Sequence, residues 1–222
     1  MSFKTVQDKI VNTVFNIRTA NLYSSRFKKH GPSAPSVLWL NEQRQLKRFE
    51  IISNSILKAG FTPLDTIMDF GCGYGAFLEF LHKHRQLMPA HYYGLDLSSE
   101  MIEFCQSKYN LKKASFFQKS HLDFDVGFSV LSGTFGLAAT SDVSMWESYV
   151  FSNLSKIWSY TKNAMIFNFQ YTDSGVSKIS KDRIYYICFD RLSLFLDRLG
   201  GSPSLIYDQS LSKDVAVLMR PS

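Results

Sequence analysis

The sequence predicts a doubly wound α/β fold, in which a mostly parallel sheet follows an N-terminal helical cap. Short apolar runs bounded by turn residues alternate with segments of helical periodicity. Glycines occupy alternate positions directly after the first such run, at Gly71, Gly73 and Gly75. The chain ends in two apolar runs joined by a short polar loop, which predicts an antiparallel pair. We therefore expect seven strands, with the terminal strand antiparallel to the others.

Length and composition are those of a globular protein with one sizeable core. The chain has 222 residues, of which 45% are apolar and 20% charged. These values are far from those of disordered chains. We expect a cap or lid at residues 1–60 and the sheet domain at residues 61–222.

The sequence also bears on location and redox state. No apolar run approaches the roughly 20 residues that span a bilayer. The first residues lack the apolar segment of a signal peptide. Three scattered cysteines predict neither a disulfide framework nor a metal site. We therefore expect a cytoplasmic protein with reduced cysteines.

Two helices are predicted in the cap, separated by a proline-containing break at residues 30–36. The first helix covers residues 3–17, and its amphipathic pattern rests on Phe3, Val6, Ile10, Val14 and Ile17. The second ends at Gly60, and its pattern rests on Leu46, Phe49, Ser53, Ile56 and Leu57.

Strands and helices then alternate along the domain. The predicted parallel strands cover residues 66–70, 91–97, 115–118, 125–132 and 164–170. Helices are predicted at 76–84 and at 98–109, the second beginning with Ser98 as its N-cap. A third helix begins with a capping box of Ser144 and Glu147, and its inner face comprises Trp146, Tyr149, Val150, Leu154, Ile157 and Trp158.

The end of the chain is predicted to contain one more helix and the two final strands. The helix is closed by Gly200 and Gly201, and its apolar stripe comprises Ile184, Cys188, Leu192, Phe195 and Leu199. The strands cover residues 204–207 and 215–219.

The net charge of +6 is concentrated in the cap. Residues 1–60 contain ten Lys or Arg and three Asp or Glu, whereas the rest of the chain is nearly neutral. This excess is consistent with solvated helix faces, with a positive rim around a site for an anionic substrate, or with nucleic-acid binding.

The loop DFGCGYG, residues 69–75, indicates a ligand site. Glycines let the backbone approach a ligand closely, and the helix that follows offers unpaired N–H groups. Gly71, Gly73 and Ala76 fit the dinucleotide pattern, but the same shape suits an adenosyl ligand without phosphate. Asp69 favours the second ligand, because a carboxylate repels pyrophosphate and attracts an ammonium group. Alternatively, Asp69 only caps the loop.

Asp96 provides a second indication of an adenosine ligand. It ends the second predicted strand, where an acidic side chain can accept both ribose hydroxyls. NAD sites share this feature, so Asp96 does not choose between the two ligands. A simple turn leading into the next helix is the other explanation.

Four segments together resemble class I S-adenosylmethionine-dependent methyltransferases. They are DFGCGYG, GLDLSSEMI, VLSGTFGL and the terminal strand pair, and the resemblance covers about residues 61–222. Upstream, LYSSRFKKHGPSAPSVLW and NEQRQLKRFEII resemble the lead-in of bacterial methyltransferases that are usually assigned to small molecules. The resemblance implies a Rossmann-like methyltransferase fold and S-adenosylmethionine (SAM) as the cofactor.

The resemblance also implies roles for individual residues in cofactor binding. Those implied to contact the methionine part are Gly71, Cys72, Gly73 and Gly75. Asp96 would hold the ribose, Leu97 and Met101 would flank the adenine, and Ser120 or His121 would border it. The family's Gly-Asp pair is missing at this last position, and Asp123 is a substitute for the adenine contact.

Further residues are implied at the acceptor and in the lid. Ser132 and Gly133 would face the sulfonium and the acceptor. Tyr23, Arg26 and His30 would close over the cofactor, with Arg26 as a partner for its carboxylate. Alternatively, Arg26 belongs to the solvated basic face.

Methyl transfer from a sulfonium needs mainly correct positioning of the acceptor, and an oxygen acceptor gains from a nearby base. His30, His121 and Tyr171 are weak candidates for catalysis, so the sequence does not identify a catalytic residue. LSGTFGL lacks the proline turn typical of enzymes that methylate amino groups of bases. The sequence therefore predicts a small-molecule methyltransferase acting at oxygen, on an anionic or polar acceptor. RNA or protein methylation, a NAD-dependent oxidoreductase and a non-catalytic binding module are the alternatives.

Overall fold

A doubly wound sheet forms the centre of the molecule. The computed structural model of the chain describes residues 3–39, 41–109 and 112–222, and its side chains from residue 10 onward. The helices are α1 (Phe3–His30), α2 (Glu42–Lys58), α3 (Ala76–Lys83), α4 (Ser99–Lys108), α5 (Val143–Ser159) and α6 (Phe189–Leu199). The strands are β1 (Thr66–Phe70), β2 (His91–Asp96), β3 (Ala114–Gln118), β4 (Val126–Leu131), β5 (Thr161–Thr172), β6 (Lys178–Ile179), β7 (Tyr185–Cys188), β8 (Ser202–Tyr207) and β9 (Asp214–Arg220).

The strand order places a ligand cleft at one edge of the sheet. The order is β3-β2-β1-β4-β5-β7-β6, and β9 lies between β5 and β8. Strands β1 to β5 and β7 pair in parallel, whereas β9 is antiparallel to β5 and β8. From β1 the strand order continues through β2 and β3 on one side and through β4 and β5 on the other. β1 and β4 therefore flank the point at which ligands bind in such sheets.

Helices cover both faces of the sheet. One core joins α2, α3 and α4 to the sheet through side chains such as Phe49, Ile56 and Phe77. The other joins α5 and α6 to the opposite face and includes Phe15 of α1. Among the described residues, none of the helices combines the length and apolar character that crossing a membrane requires.

The expected fold class is confirmed, but the strand count differs. The described residues contain nine strands in one sheet rather than seven. The additional strands are β6 and β7, and β7 occupies part of the segment assigned to the last helix. The apolar run at residues 185–188 fits either a strand or a helix, and pairing with β5 decides in favour of a strand. Ile184 and Cys188 therefore lie outside α6, which begins at Phe189.

The start of α5 differs from the predicted capping box. Asp142 is the N-cap and accepts a hydrogen bond from the Met145 amide at 3.0 Å. Glu147 is instead buried, where it accepts hydrogen bonds from the Tyr185 hydroxyl at 3.0 Å and from Arg191 Nε at 2.9 Å. Glu147 thus connects α5 to β7 and α6.

Both cap helices are present as predicted, but the prediction of which of their residues are buried was partly wrong. Helix α1 continues to His30, and Ile10 and Ile17 are 59% and 55% exposed, while Phe15 is 2% exposed. The side chains of Phe3 and Val6 lie outside the described residues. In α2 the predicted Phe49, Ser53 and Ile56 are buried, whereas Leu46 and Leu57 are exposed.

Candidate functional site

A cleft opens at the carboxyl ends of β1, β2 and β4. Its β2 side consists of the glycine loop 71–73, residues 95–97 and Lys119. Its β4 side consists of residues 132–135 with Phe70, Trp146 and Tyr149. The cap adds Thr19, Tyr23, Val37, Trp39, Gln45 and Phe49 to the lining.

The glycine loop requires its glycines for backbone conformation and for space. Gly71 and Gly75 have φ angles of +78° and +80°, which side-chain-bearing residues rarely adopt. A Cβ at Gly71 would lie 2.9 Å from Thr134 Cγ2, and one at Gly75 would lie 2.6 Å from Tyr109 Cε2. The loop therefore exposes its backbone to the cleft and leads directly into α3.

Asp96 fastens the glycine loop to the end of β2. Its Oδ2 accepts a hydrogen bond from the Gly73 amide at 2.9 Å, and its Oδ1 accepts one from the Ser98 amide at 2.8 Å. Burial raises the pKa of Asp96, and the hydrogen bonds from these amides act in the opposite direction. Each carboxylate oxygen can accept a second hydrogen bond, so Asp96 can hold the loop and a ligand together.

Asp69 lies beneath the glycine loop and is only 2% exposed. Its Oδ2 accepts a hydrogen bond from the Tyr92 hydroxyl at 2.5 Å, so its partner is on β2 and is not an amide of the loop. Burial raises the pKa of Asp69 to about 7, although the Tyr92 hydrogen bond lowers it and the charge of Asp96 raises it further. A cation bound in the cleft would favour the ionised form of this carboxyl.

Helix α1 crosses the cleft and is anchored on its β4 side. The Phe15 ring lies 5.9 Å from the Trp146 ring and 5.5 Å from the Tyr149 ring. The Tyr149 hydroxyl donates a hydrogen bond to Asn16 Oδ1 at 2.7 Å. These contacts fix the first part of α1 to α5.

On its β2 side, α1 is anchored to α4. The hydroxyls of Ser24 and Ser98 are hydrogen-bonded at 2.9 Å, and Lys28 pairs with Glu100 at 2.7 Å. Tyr23 lies between the two anchors and faces the cleft. Burial and the charge of Asp96 raise the pKa of Tyr23 to about 12. Helix α1 is thus a strap over the cleft.

Comparisons with known proteins agree with this architecture. A family model described as a methyltransferase domain matches residues 67–157. Protein Rv1506c of Mycobacterium tuberculosis, named as a methyltransferase, is 27% identical over 161 residues, which cover 71% of this chain and 94% of that protein. The fatty-acid O-methyltransferase of Mycolicibacterium smegmatis is 32% identical over 85 residues, 38% of this chain and 30% of that protein.

Solved structures share the fold over nearly the whole chain. The magnesium protoporphyrin IX methyltransferase of Synechocystis PCC 6803, with bound SAH, has a TM-score of 0.62 at 14% identity and covers 97% of this chain and 99% of its own. The DhpI–SAH complex has a TM-score of 0.59 at 15% identity, covering 94% of this chain and 97% of that one. This chain contains a methyltransferase domain and has the fold of S-adenosylmethionine-dependent methyltransferases.

Most residues implied for the cofactor lie around the cleft of this methyltransferase. Those that line it are Tyr23, Asp69, Gly71, Cys72, Gly73, Asp96, Leu97, Ser132 and Gly133. Gly75 is the N-cap of α3. Met101 is fully buried and lies behind the loop, with its Sδ 3.8 Å from the position of a Cβ on Gly73.

Ser120 and His121 line a shallow groove that continues the cleft beyond its β2 side. The groove shares Leu97 and Lys119 with the cleft and includes Asp123. Burial lowers the pKa of His121, and its Nδ1 lies 3.2 Å from Ser120 Oγ. His121 therefore lines the groove and is not part of the cleft lining.

Arg26, His30 and Tyr171 also lie outside the lining of the cleft. Arg26 donates hydrogen bonds to the Pro35 carbonyl at 3.1 and 2.5 Å, which holds the turn that carries Val37 to the glycine loop. His30 is exposed at the end of α1. Tyr171 packs against Phe189, the first residue of α6, and the centroids of the two rings are 4.8 Å apart.

Five of the ten basic residues of the cap have partners within the protein. The partners are Ala139 O for Arg18, Pro35 O for Arg26, Glu100 for Lys28, Asp208 for Lys47 and Asp214 for Arg48. Among the described residues that line the cleft, the positively charged side chain is that of Lys119, which belongs to the sheet domain and not to the cap. Part of the positive charge of the cap is therefore used in contacts within the protein.

The β4 side contains residues that sequence reasoning did not assign to the site. Phe135, Trp146 and Tyr149 form an aromatic wall, in which the Trp146 and Tyr149 rings are 5.1 Å apart and stacked. The sequence placed Trp146 and Tyr149 on the inner face of a helix, and that face both enters the core and borders the cleft. Periodicity reports burial but cannot distinguish a core from the wall of a covered cleft.

Proposed function

We propose that this methyltransferase transfers a methyl group from SAM to an oxygen atom of a small molecule. The observation that carries the proposal is the strap: α1 crosses the cleft and is anchored on both sides by Phe15 and Lys28. A folded RNA or a protein surface needs an open approach to the methyl group, which the strap obstructs. A small molecule needs only the covered cleft.

The proposal assigns the β2 side and the glycine loop to the cofactor. Asp69 and the loop would hold the methionine part, because the carboxyl lies under the loop and its ionised form attracts an ammonium group. Asp96 and Tyr23 would hold the ribose. The groove beside Leu97, with Ser120, His121 and Asp123, would receive the adenine. The remaining implied residues would support the loop (Cys72, Gly75, Met101), meet the sulfonium (Ser132, Gly133) or fix the cap (Arg26).

Residues 1–60 are proposed as a cap around the domain at 61–222, with unequal roles for their two helices. Helix α2 packs into the same core as α3 through Phe49, whose ring lies 5.2 Å from that of Phe77. Helix α1 contributes the strap and few core residues. The part of the cap that would move when the acceptor enters is therefore α1.

Transfer to oxygen is favoured by the chemistry of the β4 side. Its loop, residues 132–135, has the sequence SGTF and lacks the proline turn of base amino-group methylation. The fatty-acid O-methyltransferase among the relatives is named for oxygen transfer to a small molecule. Both observations support an oxygen acceptor.

We expect label from methyl-labelled SAM to enter a small-molecule extract of cells and to be retained as an O-methyl group. The purified chain is incubated with the extract, with total RNA and with total protein in parallel, and the products are identified by mass spectrometry. Asp96→Ala serves as the impaired control. Label found only in RNA or protein would refute the small-molecule assignment, and N-methyl products would refute the oxygen assignment.

A further inference from the structure

Two buried polar atoms on the β4 side have no hydrogen-bond partner among the described residues. They are Ser132 Oγ and Trp146 Nε1. Both residues line the cleft, and Trp146 is 1% exposed. An indole N–H can only donate, and leaving it unpaired in an apolar setting costs free energy. A ligand that presents an acceptor oxygen here would recover that cost.

The side chains that line this side are mainly apolar and aromatic, and Arg48 Nη1 lies 3.0 Å from the position of a Cβ on Gly133. The Phe135 ring lies 5.9 Å from that of Phe70 and 6.1 Å from that of Tyr149. Thr134 also lines this side, but its hydroxyl already donates to the Phe70 carbonyl at 2.7 Å. The β4 side therefore suits an apolar molecule with one polar group that accepts hydrogen bonds.

Among the described residues that line the β4 side, no side chain is suited to deprotonate an alcohol. The described lining contains no histidine, and its amine, that of Lys119, is on the β2 side rather than beside Ser132 and Trp146. The hydroxyls of Tyr74 and Tyr149 donate to Gln45 and Asn16, and burial raises the pKa of both phenols. Burial also raises the pKa of the Cys72 thiol well above its usual value and that of Tyr23 to about 12.

Each of the two carboxylates of the cleft already accepts a hydrogen bond within the protein. Asp69 accepts from Tyr92 beneath the loop, and Asp96 accepts from two backbone amides on the β2 side. Both are assigned to the cofactor under the proposed function. Without a base, the acceptor must arrive already ionised near pH 7. Carboxylic acids meet this condition, whereas phenols, with a pKa near 10, and alcohols do not.

We propose that the acceptor is the carboxylate of an apolar monocarboxylic acid, held by Ser132 and Trp146, and that the product is its methyl ester. This inference rests on the proposed function. A carboxylate oxygen forms a bond to the methyl carbon, the carbon–sulfur bond breaks, and its electron pair stays on sulfur to give S-adenosylhomocysteine (SAH). The negative carboxylate and the positive sulfonium neutralise each other, so no proton is transferred and no base is needed.

The test uses matched compounds that differ only in the polar group. Octanoate, 3-phenylpropanoate and longer straight-chain acids are compared with their primary alcohols and amides, with SAM as the methyl donor. We expect the acids to be converted to methyl esters, which release methanol on alkaline hydrolysis. The alcohols should react at least about 100-fold more slowly, because a missing general base costs a factor of that order. Between pH 6 and 8 the proton on the acceptor should not limit the rate.

Variants test the two donors separately. Ser132→Ala and Trp146→Phe should each lower kcat/KM for the acid about tenfold, the effect of about one lost hydrogen bond to a charged group, with SAM affinity unchanged. Ser53→Ala is a matched control, since Ser53 Oγ is also buried and unpaired but lies outside the cleft lining. Trp158→Phe is the control for loss of an indole on the same helix. Thermal unfolding of each variant shows that it is folded.

The outcomes separate this inference from the proposed function. If SAM binds and alcohols, phenols or amines are methylated while the acids are not, the carboxylate assignment is wrong, although small-molecule transfer stands for an oxygen product. If SAM binds and no acid of the series is methylated, the carboxylate assignment is also wrong. If SAM does not bind, the proposed function itself fails. Loss of kcat/KM in Ser53→Ala equal to that in Ser132→Ala would overturn the role of the Ser132 hydroxyl.

Discussion

Asp96→Ala is expected to weaken the binding of SAM by at least tenfold, which corresponds to about 1.4 kcal/mol or more. Two losses combine in this variant. Under the proposed function the ribose would lose its carboxylate acceptor. The glycine loop also loses the hydrogen bond from the Gly73 amide to Asp96 Oδ2 at 2.9 Å. Asp96→Asn keeps one acceptor oxygen, so its affinity should fall between those of the wild type and Asp96→Ala.

Calorimetric titration with SAM and SAH measures this effect. Asp125→Ala is the matched control, because the Asp125 carboxylate lies in an exposed ion pair with Lys162 and outside the cleft. Its affinity for SAM should equal that of the wild type. Unchanged affinity in Asp96→Ala would remove Asp96 from the site and leave it as a turn residue before α4.

Asp214→Ala is expected to lower the free energy of unfolding by about 3–5 kcal/mol, the cost of leaving one partner of a buried ion pair uncompensated. Asp214 of β9 pairs with Arg48 of α2, and both side chains are buried. Burial raises the pKa of Asp214, but the charge of Arg48 and its hydrogen bond oppose this. Arg48 also lies over the Trp39 ring, 4.3 Å from its centroid.

Hydrogen bonds of Asn168 connect the Arg48–Asp214 ion pair to the cleft. Asn168 Nδ2 donates to Asp214 Oδ1 at 3.2 Å, and Asn168 Oδ1 accepts from the Gly133 amide at 2.8 Å. Loss of Asp214 should therefore also loosen the loop at 132–135. We expect acceptor turnover to fall more than SAM affinity.

Denaturant unfolding measures the loss of stability. Lys162→Ala, which breaks an exposed pair with Asp125, should cost less than about 1 kcal/mol. The double variant Arg48→Met with Asp214→Leu should recover much of the stability, since apolar replacements avoid the buried charge. A loss below about 1 kcal/mol in Asp214→Ala would show that the pair does not hold α2 against β9.

The fold and the position of the glycine loop, to which we assign the cofactor, could be predicted because local rules decide them. Asp69 and Asp96 each lie at the carboxyl end of a parallel strand, so sheet topology alone brings them to one edge. The glycines at 71, 73 and 75 are required by backbone conformation, which sequence spacing reflects directly. Ser98 as the N-cap of α4 also follows from a local hydrogen bond, to the Met101 amide at 3.3 Å.

What could not be predicted depends on long-range partners. Arg26 was assigned to a ligand carboxylate, but a carbonyl nine residues away takes its guanidinium. Glu147 fits a capping box in sequence, yet Tyr185 and Arg191 from distant elements bind it. The buried face of α1 is set by the aromatic rings of α5 rather than by its own apolar pattern. A local sequence pattern cannot reveal these partners, because they come from other elements of the fold.

The β4 side of the cleft, which we propose for the acceptor, was the least predictable part. Its wall consists of residues such as Phe135 and Trp146, whose apolar character is the same in a core and in a cleft. Only the position of α1 over the carboxyl ends of the strands converts this wall into a covered pocket. The proposed acceptor site rests on the two unpaired polar atoms, Ser132 Oγ and Trp146 Nε1, and a sequence pattern does not show which polar atoms lack a partner.

The central claim is that the glycine loop holds an adenosyl sulfur ligand, and calorimetric titration of the purified protein with SAM, SAH, NAD and NADP tests it most directly. We expect micromolar binding of SAM and SAH and no binding of either nicotinamide nucleotide, because Asp69 under the loop opposes a pyrophosphate. Binding of NAD or NADP, with none of the sulfur ligands, would contradict the account and restore the oxidoreductase interpretation.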